Sequence, residues 1–206
     1  MFITFEGPEG SGKTTVANII VNKLEKLGYK VVQTREPGGT PIAEAIRNVI
    51  LDTKNTNLDP RAEALLYAAS RRQHLVEKVW PAIKDGKIVI CDRFLDSSLA
   101  YQGGARNLGV ENILNVNMFA TEGTFPDLTL LFDIAPEDGL KRIAANSKRE
   151  VNRLDLEKID FHKKVREVFL DLSKTYSERF IVIDANQPLE DVVDNTWLAI
   201  EKKLGL

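Results

Sequence analysis

The stretch Gly7-Pro8-Glu9-Gly10-Ser11-Gly12-Lys13-Thr14, continued by Thr15, fits the pattern G-x-x-x-x-G-K-[ST]. Each part answers a need of bound phosphate. Gly7, Gly10 and Gly12, with Ser11 inside the turn, let backbone amides converge on phosphate oxygens. The amino end of a following helix adds favourable dipole charge. Lys13 is placed to reach the outer phosphates, and the Thr14 hydroxyl suits Mg²⁺. Glu9 is the odd member, because a carboxylate in a loop built for anions has to face elsewhere.

Further candidates follow apolar runs. Arg35 stands in "TREPGGT", and Asp92-Arg93 opens "DRFLDSSLAYQGG". An aspartate at a strand end facing the loop can hold Mg²⁺ through water, and an arginine beside it can neutralise charge on a transferring phosphoryl group or its acceptor. In the segment from Asp59, Tyr67, Arg71 and His74 fall at i, i+4 and i+7 of a helix and share a face. A ring and a guanidinium one turn apart can stack on a base and bond its edge. Arg72 and His74 are expected on a solvated face.

A phosphate loop serves GTPases, motor and transport ATPases, and small kinases alike. The base-reading N-K-x-D of a guanine switch protein is missing, since "DTKNTNLD" lacks a lysine directly after either asparagine. At 206 residues the chain is short for a motor. A kinase of a small acceptor is favoured, because it needs a second pocket rich in arginine.

Five short apolar runs must position these residues: 2–6, 30–34, 87–91, 128–133 and 180–184. Their continuous hydrophobicity suits strands covered on both faces, and helical patterns separate them. Val16, Ile19, Ile20, Leu24 and Leu27 predict the buried stripe of the first helix, which Gly28 ends. Thr40-Pro41 and Asp59-Pro60 each read as a cap followed by proline at the first helical position. The helix from Asp59 is long, and Pro81 should break or kink its end. The fold class expected is α/β, a doubly wound parallel five-stranded sheet with helices on both faces and ligands at the carboxyl ends of the strands.

Hydrophobic content of 43% and charged content of 28% are ordinary for a globular chain, and the net charge of −2 gives no support for nucleic-acid or membrane binding. No apolar run approaches the roughly 20 residues that span a bilayer. The start "MFITFEG" carries no basic leader, so a cytoplasmic location is expected. The single cysteine, Cys91, excludes an internal disulfide and a cysteine metal cluster, and reads as a buried thiol.

The segments "FEGPEGSGKTT", "TREPGG", "EALLYAASRRQH", "CDRFLDSSLAYQGG", "NRLD" and "DANQPLE" resemble the thymidylate kinase family, in family order and over nearly the whole chain. The resemblance implies a single nucleoside monophosphate kinase domain over 1–206 with a short lid at about 146–156. It implies transfer of the γ-phosphoryl group of ATP to thymidine monophosphate with Mg²⁺, and a homodimer. Arg35 and Arg93 resemble the arginines that grip the acceptor phosphate, and Tyr67 sits where an aromatic stacks on thymine. Arg71 resembles the donor to thymine O4, Ser98 and Gln102 the residues on the other polar edge, and Tyr101 the ring under the sugar. Glu9 resembles an acidic residue turned toward the 3′-hydroxyl. Lys13, Asp92, Arg93 and Arg153 carry catalysis in this reading, with Thr14 and Asp92 at the metal. Gly10 stands where one subclass has an arginine, as in the subclass whose lid supplies it, here Arg153, with Lys148 and Arg149 as further lid cations. Asn186, Gln187 and Pro188 resemble the loop that cradles adenine. His162, Trp80 and Trp197 are expected in packing or on the surface. The alternatives are a kinase of another nucleoside monophosphate or deoxynucleoside, and a non-catalytic nucleotide-binding regulator.

Overall fold

In the computed structural model, which describes residues 1–145 and 153–206, the five apolar runs form one parallel sheet. Its strands are β1 (Phe2–Glu6), β2 (Val31–Arg35), β3 (Ile88–Asp92), β4 (Leu128–Asp133) and β5 (Phe180–Asp184), in the order β2-β3-β1-β4-β5. β1 is central, with Ile3 opposite Ile90 on one side and Leu128 on the other. Successive side chains leave opposite faces of a strand, so each continuous apolar run feeds two cores. Phe2, Val89, Cys91 and Leu131 point into one core, while Ile3, Phe5, Ile90, Leu130 and Phe132 point into the other.

The second core is closed by α1 (Lys13–Lys26) and α9 (Leu189–Leu204), through Val16, Ile20, Leu24, Trp197 and Ile200. The buried stripe of α1 corrects the expected one. Ala17 and Val21 join Val16, Ile20 and Leu24, whereas Ile19 and Leu27 are 37% and 57% exposed. The stripe turns toward small Ala17 because α1 wedges between the sheet and α9. Gly28 follows the helix end at φ +89°.

The first core lies under α3 (Pro60–His74), α4 (Trp80–Lys84), α6 (Val110–Thr121) and α8 (Ile159–Thr175). α2 (Pro41–Leu51) packs on α3. The Asp59 carboxylate accepts from the Arg61 and Ala62 amides, as its cap position predicts; Thr40 makes no side-chain capping bond. Pro81 does not break the long helix. A π turn at Leu75–Val79, with the Trp80 amide bonded to the Leu75 carbonyl, carries the chain on into α4. The wider turn relieves the crowding that a proline ring imposes on the preceding carbonyls. A second π turn, Leu99–Ala105, continues α5 (Leu95–Ser98) and was not expected from the residue pattern. α7 (Pro136–Ala145) follows β4, and a single 3₁₀ turn spans Arg153–Leu156. Among the described residues no helix is long and apolar enough to cross a membrane.

Candidate active site

The phosphate loop leaves the central strand and ends at Gly12, φ +83°, whose left-handed conformation starts α1. Gly10 is at φ +73°, and a side-chain carbon there would stand 2.1 Å from the Gly139 carbonyl oxygen of α7. The loop is thus seated on α7 by backbone contact. The Lys13 ammonium donates to the Gly7 and Pro8 carbonyls at 2.9 Å and to Ser11 Oγ at 3.0 Å. Burial, and then the Arg93 charge, bring its pKa down to about 7. Phosphate oxygens, as ionised acceptors, are stronger partners than these neutral ones.

β3 runs beside β1, which brings Asp92 to the loop: Thr14 Oγ1 donates to Asp92 Oδ2 at 2.6 Å. Among the described residues no group of three or more His, Cys, Asp or Glu side chains converges as a metal site. One hydroxyl and one carboxylate are hard oxygen donors that suit Mg²⁺ when substrate phosphates and water complete its shell.

Arg93 leaves β3 in the left-handed region, φ +70°, a conformation that costs a side-chain-bearing residue roughly 1–3 kcal/mol. Its surroundings hold it there. The Phe94 amide and the Ser97 hydroxyl donate to the two oxygens of buried Glu6 at 2.8 and 2.5 Å, and Arg93 Nη1 donates to Ser97 Oγ at 3.1 Å. Arg93 Nη2 reaches Glu9 Oε1 at 3.1 Å, and the guanidinium lies 5.1 Å from the centre of the Tyr101 ring. Glu9 therefore faces away from the loop amides, into a cluster of Arg93, the Tyr101 hydroxyl at 2.6 Å, and His162 Nδ1 at 3.5 Å. Burial pushes the Glu9 carboxyl up, but Arg93 and the hydrogen bonds from His162 and Tyr101 outweigh it and leave it well below the usual carboxylate range.

Beyond Arg93 a cavity of about 600 Å³ opens, lined by the phosphate loop, Arg35, Tyr67, Arg71, Ser98, Tyr101 and Gln102. The structure thus brings together loop residues 9–15 and every residue expected at the acceptor, while Gly7 is not among the lining residues. Arg71, 1% exposed, spends four N–H groups on Glu36, Ser98, Asn117 and the Phe94 carbonyl. Arginine has five, so among the described residues one N–H is left, on a side chain that lines the cavity. Tyr67 is buried, and burial followed by the Glu63 carboxylate raises its phenol. The Gln102 amide nitrogen donates to Glu63 at 2.8 Å. Arg35, half exposed, donates to both Glu44 oxygens at 2.7 and 3.3 Å and to the Pro37 carbonyl at 3.3 Å.

Three expectations are not met. Arg153 does not line the cavity; it is buried, bonded to Glu63 and to the Ile50 carbonyl on the far side of Gln102. Glu63, the acid that Arg153 pairs with, is fully buried. Lys148, Arg149 and the lid up to residue 152 lie outside the described residues. His74 is fully buried rather than solvated, because Glu36 and Thr34 satisfy its two ring nitrogens at 2.9 and 2.7 Å. Asn186, Gln187 and Pro188 do not line the main cavity either. Arg142, which does, donates to the neighbouring Ala185 carbonyl at 2.9 Å. Gln187 edges a separate hollow between β5 and α9.

Sequence reasoning missed several residues. Arg47 of α2 lines the cavity and donates to the Pro37 carbonyl. His162 touches Glu9 rather than serving packing alone. Glu63 precedes Tyr67 by one helical turn on the same face, so its spacing was a signal; Glu36, inside "REPGG", carried none.

The thymidylate kinase family model matches residues 5–196. The chain is 56% identical over 199 residues to a thymidylate kinase of Geobacillus sp. (strain WCH70), covering 97% of this chain and 95% of that one. It is 58% identical over 193 residues to one of Clostridium novyi (strain NT), covering 94% of each. The crystal structure of thymidylate kinase from Ehrlichia chaffeensis superposes with a TM-score of 0.78 at 34% identity, covering 98% of both chains.

Proposed function

The chain belongs to the thymidylate kinase family, and on that premise we propose which residues carry its reaction. The enzyme transfers the γ-phosphoryl group of ATP to thymidine 5′-monophosphate, giving thymidine diphosphate and ADP for thymidine triphosphate and DNA synthesis. The observation that carries the assignment is one cavity holding Lys13 and the Thr14–Asp92 pair at one end and Arg93, Arg35 and Arg47 beside them.

An oxygen of the acceptor phosphate attacks the γ-phosphorus in line, the bond to the β–γ bridging oxygen breaks, and ADP leaves. A monophosphate is already ionised, so no base is needed and catalysis is positioning and charge neutralisation. Lys13 exchanges its carbonyl partners for β- and γ-oxygens. Arg93, fixed by Ser97 and Glu9, lies where both nucleotides' charges meet. Arg35 and Arg47 hold the acceptor phosphate. Thr14 and Asp92 would hold Mg²⁺, which supplies further neutralisation of the triphosphate oxygens. Glu9 and Tyr101 orient the sugar, Tyr67 stacks on the base, and Arg71 donates to O4. The loop at Asn186–Pro188 sits beside adenine, with Arg142 between it and the cavity. We read 1–206 as one domain, working in the cytoplasm as a homodimer.

The test is ADP formation from MgATP against a panel of nucleoside monophosphates and free thymidine, with Arg71→Ala alongside. Thymidine monophosphate should turn over and the cytidine analogue should not. The variant should lose roughly 10- to 100-fold of that selectivity, the span of a hydrogen bond worth about 1–3 kcal/mol. Preference for another monophosphate would refute the acceptor assignment, and no turnover at all would refute the catalytic one.

A further inference from the structure

We propose that Glu63 is a specificity-determining positioning residue: it fixes which way the Gln102 amide faces, so that the carbonyl oxygen, and not the NH₂, is presented to the acceptor base. The inference rests on the reading of this cavity as the thymidine monophosphate site.

A glutamine can turn either end of its amide to a ligand, and the two ends have opposite hydrogen-bonding character. Here the choice is removed. Gln102 sits in the π turn after Ser98, is 1% exposed, and lines the cavity. The group behind it is the Glu63 carboxylate, 2.8 Å from the amide nitrogen. A carboxylate can only accept, so the nitrogen must face Glu63 and the oxygen must face forward. Glu63 is itself held. One oxygen takes the Arg153 guanidinium, and Arg106 approaches both oxygens at 3.4 Å. Arg153 is anchored in turn on the Ile50 carbonyl at 3.0 Å. This gives Arg153, misplaced for phosphate chemistry, a role at the base.

The presented pattern is one N–H from Arg71 and one carbonyl oxygen from Gln102. Thymine offers its complement, an acceptor at O4 and a donor at N3–H. Cytosine offers the reverse at both positions, a donor at N4 and an acceptor at N3. Arg71 has no choice of character, but Gln102 does, and Glu63 makes that choice.

Glu63→Gln tests this with little change of shape. Its new carbonyl is claimed by Arg153, so its NH₂ must face Gln102. The Gln102 amide then turns over and presents its own NH₂ to the base. We expect the ratio of kcat/KM for thymidine monophosphate over deoxycytidine monophosphate to fall tenfold or more, with part of the fall a real gain on the cytidine nucleotide. Gln102→Leu, which presents neither group, should lose the thymidine nucleotide without that gain. A merely structural Glu63 would depress both acceptors by one factor and leave the ratio unmoved, which would overturn the proposal. Neutron diffraction of the unaltered protein reads the amide directly, whatever becomes of the variant's folding. Deuterons on the atom facing Glu63 are expected, and deuterons facing the cavity would overturn the inference. If the unaltered enzyme ignores thymidine monophosphate, the acceptor reading fails while the neutron result still judges the amide.

Discussion

Glu6 and Glu9 stand in one short segment, yet their surroundings drive them in opposite directions. Burial, then the nearby Asp96 carboxylate, raise Glu6 from an ordinary 4.5 to about 8, against the Ser97, Arg93 and Phe94 contacts that favour its charge. Glu9 is held low by Arg93, His162 and Tyr101. The consequences for stability have opposite signs. The folded chain keeps a proton on Glu6 that the unfolded chain releases above about 4.5, so this contribution is full below that pH and lost as pH rises toward 8. The Glu9 contribution is full above the ordinary carboxylate value and lost only as pH falls below it. Between pH 5 and 8, therefore, Glu6 titrates and Glu9 does not. Glu6→Gln should flatten the fall of unfolding free energy over that window by on the order of 1 kcal/mol or more, each pKa unit being worth about 1.4 kcal/mol. Denaturant titrations at several pH values, wild type minus variant, isolate the effect from the histidines; parallel curves would mean that Glu6 titrates like a surface acid. Residue types were legible from sequence where chemistry demands them, as at Lys13, Asp92 and Arg93. The buried counter-charges Glu6 and Glu36 were not, because each looks in sequence like any solvated acid, and Glu63 showed only its helical spacing from Tyr67.

Elements were legible where one periodicity governs them. All five strands fall within a residue of their apolar runs, and Asp59 caps as its position before proline requires. The π turns were hidden, since a turn wider by one residue leaves no mark in a 3.6-residue pattern. Leu99–Ala105 nevertheless decides the site, because it delivers Tyr101 to Glu9 and Gln102 to Glu63. The contact of the phosphate loop with α7 was equally hidden, being backbone against backbone. It makes Gly10 the most exacting glycine of the loop. Gly10→Ala meets both a left-handed φ of +73° and the Gly139 carbonyl, neither of which a side-chain rotation relieves. The loop must lift from α7 and its amides lose their aim. KM for ATP should rise tenfold or more, with loss of stability beyond the roughly 1 kcal/mol of an ordinary glycine replacement. Unchanged ATP kinetics would show that the loop does not need this seat.

At the scale of the whole molecule, the sheet order puts β1 and β3 side by side at its centre, so the phosphate loop and the Asp92-Arg93 end meet where the strands terminate. The helices on the acceptor side leave apolar side chains in water. Phe119 of α6 is 91% exposed, Leu65 of α3 is 59%, and Ile42 of α2 is 54%. Covering one such ring is worth roughly 1.5–3 kcal/mol, and α3 packs on both α2 and α6, so this is the face through which we expect two copies to associate. On that expectation Phe119→Asp should sediment as a monomer at micromolar concentration, where the unaltered chain sediments as a dimer. The consequence should reach the site, although every residue lining the cavity belongs to one chain. Two residues before Phe119, on the inner side of the same helix, Asn117 bonds both Arg71 and the Ile113 carbonyl. An α6 that loses its partner loses the support behind that anchor. The monomer should therefore show a raised KM for thymidine monophosphate, with KM for MgATP little changed, because the phosphate loop rests on α7 and not on α6. Equal losses for both substrates would place the damage in folding and not at the base, and a variant that stays dimeric would move the interface to another face.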